Sequence, residues 1–227
     1  MIRRLVACVS VALLCCAAPA LAGNSEPIRW SVAVFGSTST VINGQVAPKP
    51  QYGVDLSGEK GRWSLQAKVA TIDSWVGADS EDRVTLSYNQ PLKPFSLKYQ
   101  VQYKMYPGTR AGYNATGTSY QVSASKSWHG VNYGIGAEYS DADYASIRKS
   151  YGINLSLGRS FMPKLSGWLS VAHHHQFGSA DYTNTNVGLY YQVTRKIGLS
   201  TSVNLYHAYA SWNVDHPTLS VGLSRRL

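Results

Sequence analysis

The chain has 227 residues, with 21 Lys plus Arg against 12 Asp plus Glu and a formal net charge of +9. All three cysteines, Cys8, Cys15 and Cys16, fall near the start, so the rest of the chain has no disulfide, thiolate nucleophile or thiolate metal site. A mean hydropathy of −0.18 excludes a helical membrane bundle, and the basic balance favours anionic solutes or lipid head groups as partners over cationic ones.

The first segment carries Arg3 and Arg4, an apolar stretch from Leu5 to Ala18, and the small-x-small exit Ala20-Leu21-Ala22. This pattern predicts a signal peptide over 1–22, leaving 23–227 as one domain. From Arg29 onward, short stretches alternate apolar and polar residues. In Phe95-Ser96-Leu97-Lys98-Tyr99-Gln100-Val101-Gln102-Tyr103-Lys104-Met105 the odd positions are apolar and the even ones polar. Side chains on a strand point alternately to opposite faces, so such a segment offers one face to hydrocarbon and one to water. Behind an export signal, this repeated pattern predicts a transmembrane, up-and-down antiparallel all-β barrel.

Period and turn residues together predict strands over 29–40, 51–58, 62–73, 83–89, 94–106, 118–127, 131–140, 148–161, 164–177, 183–194, 197–210 and 217–227. Twelve is an even number, and the connections alternate between short ones, such as Gly58 to Gly61 or Trp128-His129-Gly130, and longer ones, such as Pro107 to Gly117. Outer-membrane barrels have that asymmetry, with short periplasmic turns and longer external loops. Aromatic residues gather at both ends: Trp30, Trp63, Tyr88, Phe95, Trp128 and Phe161 by the turns, and Trp75, Tyr106, Tyr120, Tyr139, Tyr151, Tyr182, Tyr209 and Trp212 by the loops. Together these predict two interfacial girdles. Lys126, Arg159 and Arg225 share the lipid phase but fall near the turns, where long side chains snorkel.

The inward phase is where solute contacts belong. On the predicted strands Arg29, Arg62, Lys68, Arg83, Lys98, Lys104, Arg148 and Arg226 point inward, against Asp55 and Glu138. Basic side chains in a low-dielectric tube attract anions and repel cations. A pore-lining wall of Arg62, Lys68, Arg83, Lys98 and Lys104 is therefore expected, facing small residues such as Ser123, Gly136, Ser156 and Gly222 that leave room for a narrow lumen. The competing reading has the lysines pair with loop carboxylates in a plugged, structural barrel.

Other chemistry is weakly specified. His173-His174-His175 offers two imidazoles on one strand face, too few ligands for a closed zinc site, so no metal or other cofactor is expected. A membrane hydrolase would draw on His173 with a neighbouring serine, or on Asp215 and His216 with Asp79, Glu81 or Asp82, but no spacing assigns catalytic roles and no enzyme is predicted. No Gly-rich phosphate loop opens a helix, and export with barrel phasing argues against nucleic acid.

The stretch Tyr103-Lys104-Met105-Tyr106-Pro107-Gly108 and the hairpin that begins Pro50-Gln51-Tyr52-Gly53-Val54-Asp55 resemble the TorF-type family of outer-membrane porins. The chain departs from that pattern at Phe35-Gly36-Ser37-Thr38, where the family has an arginine-glycine pair. It also departs at Arg225-Arg226-Leu227, where an aromatic terminus is usual. The resemblance implies a passive channel in a Gram-negative outer membrane, inserted by the barrel-assembly machinery, with no established ligand residues to transfer. The partners expected are outer-membrane lipid and small anionic solutes.

Overall fold

Apolar side chains on alternate positions must leave water while every backbone amide keeps a partner, and a closed barrel meets both demands. The computed structural model of the chain has that architecture. It describes residues 27–42, 45–47, 49–74, 76–142, 149–177, 179–209 and 214–227. The predicted signal peptide lies outside the described residues, as do Trp75, Arg148 and Trp212.

The strands are β1 (Arg29–Ser37), β2 (Thr40–Ile42), β3 (Gln45–Ala47), β4 (Gln51–Lys60), β5 (Trp63–Thr71), β6 (Ser80–Leu92), β7 (Phe95–Met105), β8 (Thr116–Trp128), β9 (Val131–Ala142), β10 (Lys149–Met162), β11 (Leu165–Phe177), β12 (Tyr182–Gln192), β13 (Ile197–Ala208) and β14 (Val214–Arg226). Twelve of them close an antiparallel barrel in which β1 pairs with both β4 and β14, and β2 and β3 form a separate small hairpin. The predicted strand set is thus the observed one, with two informative differences. The first long connection contains the β2–β3 hairpin, and β6 begins at Ser80, which draws Glu81 and Asp82 out of the predicted loop and onto the wall.

Exposure follows the predicted phase. Ile135, Ile153, Leu155, Leu205 and Leu223 are about half exposed, on strands whose alternate positions are polar and more enclosed. A soluble protein does not present such a continuous apolar skin, so this surface belongs against hydrocarbon. Leu65 departs from the pattern. It shares the outward phase yet is only 2% exposed. Its register partner Gly58 lies under the Trp30 ring, and the Trp63 and Tyr88 rings meet at 4.8 Å in the same patch.

The girdles also sort by depth and direction. Phe95, Trp128 and Phe161 at the turn end, and Tyr120, Tyr151 and Tyr209 at the loop end, are exposed to the lipid side. Lys126 holds its ammonium 5.6 Å from the Phe95 ring centre, as a snorkelling cation does. Tyr106 and Tyr182 do not belong to the outer girdle. They are on the inward phase, 1% and 7% exposed, and pack in interior clusters.

The small inward residues act as seats for rings. Phe35 lies over Gly53, Trp168 over Gly188, Tyr190 over Gly198, and His174 over Gly152. A glycine on a curved strand costs side-chain packing, and a ring from the neighbouring strand restores it. Gly53 is the least yielding of these seats, because an added Cβ would meet the Val69 backbone carbonyl at 2.6 Å as well as the Phe35 ring. Gly53→Ala is expected to cost about 1–3 kcal/mol by overpacking. The temperature at which the folded, fast-migrating gel band is lost should fall accordingly; an unchanged midpoint would show that the seat yields freely.

Candidate functional site

The inward side chains of β4 to β7 carry the charge. Asp55 on β4 is in register with Lys68 on β5, Lys68 with Arg83 on β6, and Arg83 with Lys104 on β7. Because the strands are tilted, this row climbs around the barrel. It continues downward through Ala33 and Ser224 toward the turn end, and upward to Gly117 at the loop end. Lys98 stands six residues nearer the turn on β7, opposite Asn89 and Ser123.

These cations are not bare. Glu81 forms an ion pair with Arg83. Asp55 accepts a hydrogen bond from Gln66, and the Lys68 ammonium sits 4.6 Å from the Phe35 ring centre. Glu138 on β9 shares the inward phase, in register with Gln121 on β8. Among the described mid-strand lumen residues there are four cations, Lys68, Arg83, Lys98 and Lys104, and three carboxylates, Asp55, Glu81 and Glu138. The charge bias is therefore narrower than the sequence phase implies. Glu81 was missed because Ser80-Glu81-Asp82 has the composition of a loop.

Of the five predicted wall residues, Arg62 is placed elsewhere. It occupies the turn between β4 and β5, exposed, with its guanidinium 3.4 Å from the Tyr88 hydroxyl. The two-residue turn at Gly61-Arg62 starts β5 at Trp63, one position later than predicted. Arg29 and Arg226 sit at strand ends near the same rim, both exposed, with Arg29 3.7 Å from Glu59.

The facing wall is more aromatic and amide-rich than expected. Trp168 on β11 donates its indole N–H to the Asn186 side-chain oxygen on β12 at 2.7 Å. His174 stacks on Tyr182 at 4.6 Å with rings 10° apart, and Tyr182 meets Tyr206 at 5.3 Å. The side-chain carbonyls of Asn184 and Asn204 and the Nε of Arg83 are enclosed without a hydrogen-bond partner from the protein. Enclosed polar atoms are ordinarily satisfied, so these are positions suited to water or a passing solute.

At the loop end of the basic row, two loops pack against each other. The segment 72–79 and the segment 106–115 are stitched by backbone bonds from Asp79 N–H to the Pro107 carbonyl and from Arg110 N–H to the Val76 carbonyl. Gly77 and Gly108 adopt φ of 91° and 84°, a region that favours glycine, and approach each other there. Beneath them Ile72, Val76, Ala78 and Tyr106 form a buried cluster, with Val76 fully enclosed. This apolar cap narrows the loop end on the β5–β8 side.

The histidines take other roles than those considered for a hydrolase. His173 bonds Thr183 at 3.1 Å rather than a serine. His216 bonds Ser39 at 2.8 Å, and Ser39 also bonds Thr218 at 2.9 Å. Ser39 is 3% exposed, and these bonds fasten the segment after β1 to β14. No group of three or more His, Cys, Asp or Glu with metal-ligand geometry occurs among the described residues.

No protein-family model and no curated protein sequence matches the chain. Solved structures do. The NanC porin superposes with a TM-score of 0.65 at 13% identity, over 86% of this chain and 100% of its own. The KdgM porin, solved in complex with disordered oligogalacturonate, gives 0.63 at 12% identity, over 86% and 98%. An outer-membrane channel of Pseudomonas putida F1 gives 0.56 at 14% identity, over 89% and 97%. At these identities the likeness is one of fold, and the fold is the twelve-stranded barrel of outer-membrane porins and channels.

Proposed function

We propose that the chain is a narrow passive channel of the outer membrane that favours small anionic solutes, with Lys68, Arg83, Lys98 and Lys104 as its selective wall. The observation that carries this reading is the register row Asp55–Lys68–Arg83–Lys104 on the inner face of a closed barrel whose outer face is apolar. Attraction without tight binding is what conduction requires, and cations partly balanced by Asp55, Glu81 and Glu138 supply it. Residues 1–22 direct export and are removed, the barrel 23–227 is inserted by the assembly machinery, and the layout accords with the TorF-type porins. Neither energy source nor cofactor enters. KdgM's oligogalacturonate is an anionic solute of the kind such a wall attracts, though a smaller anion suits the capped lumen better.

The test is conductance across a planar bilayer under a salt gradient, with folding verified by heat-sensitive gel mobility. Discrete steps with an anion-selective reversal potential are expected. Silence from folded protein would overturn the channel and favour the second reading, a structural barrel closed by the cap over Val76 and Tyr106.

A further inference from the structure

Imidazole rings take part in the loop-end girdle, on the lipid side of the wall. Tyr120, Tyr139 and Tyr151 follow one another across β8 to β10 at centroid distances of 6.4 and 5.3 Å. Tyr151 meets Phe177 at 5.8 Å, and Phe177 meets His175 at 4.9 Å. Two residues back on the same face of β11, His173 meets Tyr209 at 5.7 Å, and His207 on β13 meets Tyr209 at 4.7 Å. Three histidines thus sit in an arc that spans β8 to β13.

The hydrogen bonds fix which nitrogen addresses the surroundings. Thr183 on β12 bonds both His173 Nδ1 and the Tyr209 hydroxyl, each at 3.1 Å. Asp181 takes His175 Nδ1 at 2.9 Å and the Gln176 backbone N–H at 3.2 Å. With Nδ1 engaged by Thr183 and by Asp181, Nε2 is the remaining ring nitrogen of His173 and of His175. Burial opposes ionisation of Asp181, but the bonds from His175 and Gln176 outweigh it and hold its carboxyl below the usual range. Asp181 therefore stays charged in mild acid, bonded to His175 and near enough to His173 to offset part of its charge as well.

The other charged groups on this face among the described residues are Lys149, which opens β10 on the outward phase in register with Phe177, and Asp141, two residues beyond Tyr139 on the same face of β9. Protonation of the three imidazoles beside Lys149 gives, among the described residues, four cations against two carboxylates, Asp141 and Asp181, at head-group depth. Histidine is the side chain whose charge changes between about pH 5 and 8.

We propose that this arc is a pH-dependent docking surface for the phosphorylated head groups of outer-leaflet lipid. The proposal rests on the reading that the long loops face outward, since only then does the arc lie in that leaflet. Phosphate matches the surface because its oxygens accept from Nε2–H and from ammonium, while the rings pack against the sugar and acyl portion of the lipid.

The test uses the full mature protein, folded in nanodiscs. Binding of bis-phosphorylated lipid A is compared with that of its dephosphorylated form, at about pH 5.5 and about pH 8. The expected result is about fivefold tighter binding of the phosphorylated form at the lower pH, the size that a few exposed charge pairs give. In His173→Gln/His175→Gln/His207→Gln the pH difference should vanish. In His173→Lys/His175→Lys/His207→Lys tight binding should persist at both pH values, which separates charge from folding. Binding independent of pH, a pH difference retained in the glutamine variant, equal binding of dephosphorylated lipid, or full displacement by millimolar inorganic phosphate would each overturn the docking surface. Conductance of the glutamine variant should match wild type, so failure here is distinguishable from failure of the channel reading.

Discussion

Lys98→Glu/Lys104→Glu is expected to reverse the charge selectivity of the channel. In the parent lumen four cations face three carboxylates among the described mid-strand residues; the double variant has two against five. The change of four charge units acts on every ion passing the inner face of β7. At separations of roughly 8 Å each unit is worth about 0.5 kcal/mol in water-like dielectric. The anion-to-cation permeability ratio should therefore drop on the order of tenfold at about 0.1 M salt. The shift should shrink near 1 M, where the Debye length falls to about 3 Å. Reversal potentials at the two salt levels measure both effects. An unchanged ratio in a conducting, folded variant would show that ions pass away from the β7 wall. Lys98 and Lys104 are chosen over Arg83 because Arg83 is committed to Glu81, and removing it would strand an enclosed carboxylate at a cost of several kcal/mol.

Tyr106→Ala is expected to open the loop end. The ring is 1% exposed and forms the floor of the cap with Ile72, Val76 and Ala78, so its loss removes about 3–5 kcal/mol of packing from two loops held mainly by short backbone bonds. Those loops span no hydrocarbon, and the barrel seam from β1 to β14 does not depend on them, so the strands should remain closed. Single-channel conductance should rise about two- to threefold, with a matching rise in liposome swelling by neutral sugars. Tyr106→Phe keeps the ring and should conduct as the parent does. Were the parent silent and Tyr106→Ala conducting, the cap would be the gate of a closed channel. Equal conductance in all three would place the constriction lower, at the Asp55–Lys68–Arg83–Lys104 row.

Most of the barrel was legible in the order of residues, because a strand that faces lipid on one side and water on the other must alternate with period two. That requirement is local, so Phe95 to Met105 declares its own phase. Strand count and the split between short turns and long loops follow from the same local rule. The basic wall was legible only in part. Lys68, Arg83, Lys98 and Lys104 share the inward phase as their spacing dictates, but where a strand begins depends on its neighbours. Ser80-Glu81-Asp82 reads as a loop in isolation; pairing with Met105 on β7 and with Thr71 and Ala70 on β5 makes it strand and delivers Glu81 to Arg83.

What the tertiary structure alone decided are the contacts between residues far apart in the chain. Phase puts Tyr106 and Tyr182 on the inner face, but only the folding of segment 72–79 onto 106–115 turns Tyr106 from a girdle candidate into the floor of a cap. Spacing puts His173 and His175 on one face, yet their place in a ring of aromatics with His207 and Tyr209 arises from strand register and shear. Alternation is a property of one strand and survives in the sequence. Register, shear and loop docking are settled by the free energy of the closed barrel as a whole, since a shift in any one strand must be accommodated all the way around.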